Sequence, residues 1–294
     1  MRLCRFGENR LGIVNGHAVR DVTAALDLLP AYRYPLPPGD MLIANLDKVR
    51  ARALEIAKNA APLPLDDVPF LSPVANPSKI IGAPMNYRTG QDEAAVSNAM
   101  ATGLFLKANG SLAGASEGIS LRMMERQIDY EVELGVVIGR PASNVTREDA
   151  LNYVAGYAVA LDVTPHGREE RSLRKSCATY TVLGPWLVTA DEILDPGNLD
   201  VQLEVNGERR QEGNTRQMIR DVPGLIEYAA SFYTLNPGDI FLSGTPAGVG
   251  PMRPGDELVA TIENIGTMSV KVRALTNSAT GRGDTESTES TESC

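Results

Sequence analysis

Asp129-Tyr130-Glu131-Val132-Glu133-Leu134-Gly135-Val136-Val137-Ile138-Gly139 is the stretch that decides how the chain is read. In an extended strand successive side chains alternate faces, so Asp129, Glu131 and Glu133 fall on one side and Tyr130, Val132 and Leu134 on the other. The β-branched run that follows carries the strand into a core, and three carboxylates crowded on one face repel one another unless a cation relieves them. Further on, Asp162 ends the apolar run Tyr157-Ala158-Val159-Ala160-Leu161, where a lone carboxylate needs a partner. Glu131, Glu133 and Asp162 together make an all-oxygen ligand set, which suits Mg2+, Mn2+ or Ca2+ better than Zn2+.

Working outward, most segments read as strands. Asn15-Gly16 marks a hairpin within residues 2–20, and Asn206-Gly207 marks a second one after Leu199–Val205. Strands are expected near 79–82, 103–107, 129–138 and 154–162. Two Pro-Gly-Asp turns, at 237–239 and 254–256, each lead into another strand, and Asn264-Ile265-Gly266 turns the last pair. Helices are fewer. Leu42, Leu46, Val49, Ala53 and Ile56 recur at helical spacing, residues 94–101 continue as a helix, and Thr146 with Asp149 starts one near 146–153. Asp221 and Pro223 open another, with Leu225, Ile226, Ala229 and Phe232 on one face. The fold class is α+β, mainly β, without the regular strand–helix alternation of a parallel α/β protein.

Five prolines between Pro62 and Pro77 suggest an extended connector, and the domain boundary is placed there. Residues 1–75 form a small N-terminal α/β domain and 76–275 the larger unit. Residues 276–294, rich in Ser, Thr, Glu and Gly, are expected to be a disordered tail. A net charge of -9 argues against nucleic acid or an anionic membrane as partner. The three cysteines have no metal-ligand or redox spacing, and neither a signal peptide nor a spanning run is visible, so a cytoplasmic protein is expected.

The order of several short motifs resembles the fumarylacetoacetate hydrolase family: Asn86-Tyr87 with Glu93, Phe105-Leu106-Lys107, the Asp129–Leu134 segment, Asp162-Val163-Thr164, Lys175-Ser176, Leu183-Gly184-Pro185-Trp186, Asn206-Gly207, and Ser243-Gly244-Thr245-Pro246-Ala247-Gly248-Val249-Gly250. The resemblance covers about residues 79–273. It implies a mixed β-sandwich roll behind a small N-terminal domain, usually as a homodimer, with a divalent metal held by Glu131, Glu133 and Asp162. It also implies a small 2-oxo or 2,4-dioxo acid as substrate, of the kind produced in aromatic-ring degradation. Lys175 maps onto the family's active-site lysine. Thr245 and Gly244, with Asn86 and Tyr87, map onto substrate-binding positions.

Two positions depart from the family pattern. Gly90 stands where hydrolases of the family commonly carry a His three residues before the Glu, leaving Glu93 as the candidate base. His166 stands where an Arg is frequent, and is a candidate proton donor or acceptor. The expected reaction is metal-dependent hydrolysis of a C–C bond in an acylpyruvate-type acid. The alternatives are isomerisation or decarboxylation of a 2-oxo or 2-hydroxydienoic dicarboxylic acid, or a degenerate, non-catalytic member of the family.

Overall fold

The computed structural model describes residues 1–88 and 93–275, except for the side chains of residues 93–95 and 99. The tail expected from residue 276 onward, and Gly90, therefore lie outside the described residues. Strands dominate, and a mixed twelve-stranded sheet forms the backbone of the molecule. At its centre Val132–Ile138 pairs antiparallel with Val154–Asp162 on one side and Ile240–Leu242 on the other. Ile80–Gly82 continues beyond Ile240–Leu242 in parallel. All seven residues of Val132–Ile138 are buried, as a strand covered on both faces requires.

The two faces of that strand serve different cores. Val132, Leu134 and Val136 join Val201, Leu203, Leu258 and Ala260 of a second, five-stranded sheet. Val137 points the other way, with Ala158, Ala160, Leu183 and Ile43. Two sheets packed face to face give the sandwich its apolar interior. The hairpin Asp200–Val205 to Glu208–Asn214 turns through Asn206 and Gly207, both at positive φ, the backbone that the Asn-Gly pair favours.

Residues 1–75 build three antiparallel strands, Arg2–Phe6, Arg10–Asn15 and Ala18–Asp21, over the helix Leu46–Ala57. Asp40 caps the preceding short helix Met41–Ala44 by accepting from the Leu42 and Ile43 amides. The proline-rich connector is not free of this unit: Pro62–Pro64 pairs with Ala18–Asp21, and Phe70–Leu71 pairs with Arg2–Phe6. Leu3 in turn pairs with Leu187, so the N-terminal strands extend the main sheet.

Three local expectations need correction. The strand expected over 129–138 is broken at Glu131 into Ile128–Tyr130 and Val132–Ile138, which lie in different sheets. The helix expected near 146–153 is a single 3-10 turn, Ala150–Tyr153; Thr146 bonds to the Asp149 side chain instead of capping it. Phe232 lies beyond the end of the helix Val222–Ala230 and is exposed, whereas Leu225, Ile226 and Ala229 are buried as expected.

Candidate active site

The break at Glu131 builds the site. By leaving one sheet and entering another there, the chain turns Glu131 toward Glu133, while the Glu131 carbonyl accepts from the amide of Asp162 at 2.9 Å. One carboxylate oxygen from each of Glu131, Glu133 and Asp162 lies within 4.8 Å of the others. Asp129 is not part of this group. It lies in the preceding strand and bonds to His166 at 2.7 Å and to Gln127 at 2.9 Å.

Two lysines enter the cluster. Lys175, following the short helix Arg171–Arg174, reaches Asp162 at 2.6 Å and Glu131 at 3.0 Å, with its ammonium 4.9 Å from the centre of the Phe105 ring. Lys107, fully buried, donates to Asp162 and, at 2.7 Å, to the Tyr180 carbonyl. Burial alone would raise the Asp162 carboxyl, but the two ammonium groups prevail and hold it below its ordinary range. Glu133 goes the opposite way: burial and the charges of Asp162 and Glu131 push it well up, against the Gly244 amide that donates to it at 2.6 Å. Burial and Asp162 likewise raise Glu131. Burial would lower Lys175, yet the three carboxylates around it raise it, so it stays protonated. Lys107, with less compensation, is lowered by its burial.

With all three ionised, as metal ligation requires, the carboxylates carry one negative charge more than the two ammonium groups bonded to them. Hard oxygen donors with excess charge fit a divalent cation. The Tyr87 hydroxyl, buried without a hydrogen-bond partner among the described residues and raised by burial and by Glu133, is a second sign that the site accommodates a further polar group. With a doubly charged ion the balance becomes one positive charge, suited to an anionic ligand.

The cluster opens into a cavity of about 270 Å³ lined also by Pro84, Phe105, Gly244 and Thr245. Gly244 holds φ near +91°, and a Cβ there would meet Asn86 at 2.8 Å, so glycine is what lets this turn bring its amide to Glu133. The Thr245 hydroxyl, expected to meet substrate, donates to the Val132 carbonyl at 2.7 Å and accepts from Gln211 at 2.8 Å. Asn86 is likewise engaged by the protein, donating to the carbonyls of Arg220 and Ser243 and accepting from the Arg220 amide. His166 packs on Asp129 and is not among the residues that line the cavity. The helix Glu93–Thr102 begins at Glu93, whose side chain lies outside the described residues.

Sequence reasoning gave no role to Lys107, Gln211, Arg171 or Arg174. Lys107 carries a faint signal, a lysine closing the short apolar strand Phe105–Lys107. Gln211 carries none. It sits in the charged run Glu208-Arg209-Arg210-Gln211-Glu212, yet is fully buried, accepting from the Val132 amide and donating to Thr245 and Pro246.

The family model for the fumarylacetoacetate (FAA) hydrolase C-terminal domain matches residues 79–273. The chain belongs to the fumarylacetoacetate hydrolase family. Within that family it is 54% identical, over 94% of this chain and 100% of the relative, to a maleylpyruvate hydrolase of Aquipseudomonas alcaligenes. A crystal structure of maleylpyruvate hydrolase from Sphingobium sp. SYK-6, in complex with manganese (II) ion and pyruvate, superposes with a TM-score of 0.82 at 37% identity, covering 94% of this chain and 100% of that one. A mitochondrial oxaloacetate tautomerase of Rattus norvegicus is 39% identical over 75% of this chain and 76% of its own length. The family fold agrees with the sandwich described above, and no helix among the described residues is long and apolar enough to cross a membrane.

Proposed function

We propose that this protein is a divalent-metal-dependent hydrolase that cleaves the C–C bond of an acylpyruvate-type 2,4-dioxo acid, with maleylpyruvate as the leading candidate. The observation that carries this reading is the convergence of Glu131, Glu133, Asp162 and Lys175 on one buried, open-mouthed cavity. The 54% identity with a maleylpyruvate hydrolase over nearly the whole chain supports it. Manganese or magnesium is the ion we assign to the three carboxylates, and the manganese in the Sphingobium structure supports that choice. A cytoplasmic homodimer acting in aromatic catabolism completes the reading, and the free thiols of Cys4 and Cys177 suit that compartment.

When bound, the ion supplies Lewis-acid stabilisation of negative charge on the substrate oxygens. The chain's own part is positioning and proton movement. Lys175, held protonated, sets a positive charge beside the same oxygens, where charge grows as the C–C bond breaks. Lys107 fixes Asp162 from behind and keeps it ionised. Glu93 is the assigned base: it takes a proton from water, the oxygen adds to the distal carbonyl, and the bond to the methylene carbon breaks. The acyl half leaves as a carboxylate, and the methylene carbon takes up a proton to give pyruvate.

Gly90, at the position where family hydrolases commonly carry a His, favours tautomerase or isomerase chemistry as the second reading, because that chemistry needs no water nucleophile. The deciding experiment offers maleylpyruvate and oxaloacetate to chelator-stripped protein, before and after Mn2+ or Mg2+, with products identified. Metal-restored pyruvate and maleate are expected. Enol–keto exchange without C–C cleavage would replace the hydrolase reading by the tautomerase one, and carbon dioxide from oxaloacetate would replace it by a decarboxylase.

A further inference from the structure

We propose that Arg171 and Arg174 form the subsite for a second carboxylate, the one carried by the acyl half of the substrate. This deepens the hydrolase reading and rests on it. Residues three and four apart on a helix share a face, so Arg171, Arg174 and Lys175 present three cations together at the end of the short helix Arg171–Arg174. Lys175 is committed to Asp162 and Glu131. The two arginines line the same cavity as the three carboxylates.

Neither arginine bonds to the three clustered carboxylates, and among the described residues neither has a carboxylate within 4.0 Å. Glu169, whose charge Arg174 feels, is held by Arg126 at 2.9 Å. Arg174 is braced by one bond, from its Nη1 to the Pro165 carbonyl at 2.5 Å, which fixes the guanidinium in place. Its Nε is buried and has no hydrogen-bond partner among the described residues. A buried N–H on a permanent cation is an expensive group to leave unmet. A structural brace accounts for the Nη1 bond but not for the unmet Nε or for Arg171. A carboxylate accounts for both, because its two oxygens match the guanidinium fork. The pyruvoyl end of a dicarboxylic acylpyruvate would lie at Lys175, with its far carboxylate toward the two arginines.

The test compares the manganese-loaded full chain with Arg171→Gln, Arg174→Gln and Arg174→Lys, each checked for circular dichroism and manganese content. Two substrates are used: maleylpyruvate, with a far carboxylate, and acetylpyruvate, without one. The expected result is that the ratio of kcat/KM for maleylpyruvate over acetylpyruvate falls about 10- to 100-fold in each Gln variant, chiefly through KM. Arg174→Lys should recover part of the ratio through its charge. Calorimetric binding of maleate gives a readout independent of turnover, and should weaken in the same variants. A ratio that stays within threefold while both substrates slow together would overturn the subsite and leave the arginines as supports of the loop. If the unaltered protein hydrolyses neither substrate, the hydrolase reading fails by itself. Maleate binding that depends on Arg171 and Arg174 would then still uphold the subsite, and maleate binding that does not would end it.

Discussion

Lys107 shows how much of this site is invisible at the level of single residues. The sequence places it at the end of a strand near 103–107, inside the motif Phe105-Leu106-Lys107, with no role attached, yet its ammonium is buried against Asp162 and the Tyr180 carbonyl. Lys107→Met should leave Asp162 with one cation where it had two, and groups that orient a metal ligand typically matter 10- to 100-fold in affinity or activity. A drop of about that size in Mn2+ affinity, measured by titration calorimetry, is expected, and an unchanged affinity would show that Lys175 alone suffices. That Glu131, Glu133 and Asp162 cluster was legible because their chemistry is written in residue type: acidic groups at the edge of apolar runs need a reason to be there. His166 was legible as a position beside the cluster, and its contact with Asp129 bears on the role the sequence suggested. It pairs with Asp129, so His166→Arg, which supplies a hydrogen-bond donor to that carboxylate, should retain turnover within about threefold. A loss beyond tenfold, with a changed pH profile, would return His166 to the chemistry.

Between elements, the decisive event is the break at Glu131. Strict alternation carries Asp129, Glu131 and Glu133 to one face and is correct for Tyr130, Val132 and Leu134, which share a core. It fails for Asp129 because the strand changes sheets, and nothing local marks that change. Contacts from far along the chain accompany it: Gln211 accepts from the Val132 amide, and the Gly244 turn brings its amide to Glu133. Gly244→Ala should therefore act on the carboxylate cluster, not only on the fold. A side chain at φ near +91° is strained by about 1–3 kcal/mol, and its Cβ would press on Asn86. Relief of that contact moves the amide away from Glu133. The expected outcome is lower stability to urea together with weaker Mn2+ binding; a variant that loses stability but binds metal as before would separate the turn from the site.

Across the whole molecule, the Asn15-Gly16 hairpin and the apolar spacing of residues 42–56 were readable, because turn chemistry and periodicity are local. How residues 1–75 join the main sheet was not, since Leu3 pairing with Leu187 leaves no trace in either segment. The join is also electrostatic. Arg50, on the helix Leu46–Ala57, forms a two-pronged ion pair with Asp191 at 3.0 and 2.6 Å, and the amino group of Met1 bonds to Thr189 and Glu192 nearby. Hydrogen bonds from Arg50 and Thr189 lower the Asp191 carboxyl from 3.8 to about 2. A carboxyl depressed on folding stabilises the folded state at pH above its unfolded value and loses that contribution as pH falls through its folded value. Asp191→Asn should then lower stability at pH 7 and make no difference near pH 2, the gap closing between about pH 4 and 2. The side chain is half exposed, so solvent screening keeps the effect below about 1 kcal/mol. Urea unfolding of both proteins across that range measures it, with added salt expected to shrink the neutral-pH gap. A gap that persists unchanged down to pH 2 would mean that the Asp191 charge does not help hold the helix Leu46–Ala57 in place, leaving the Leu3–Leu187 strand pairing to tie residues 1–75 to the rest of the sheet.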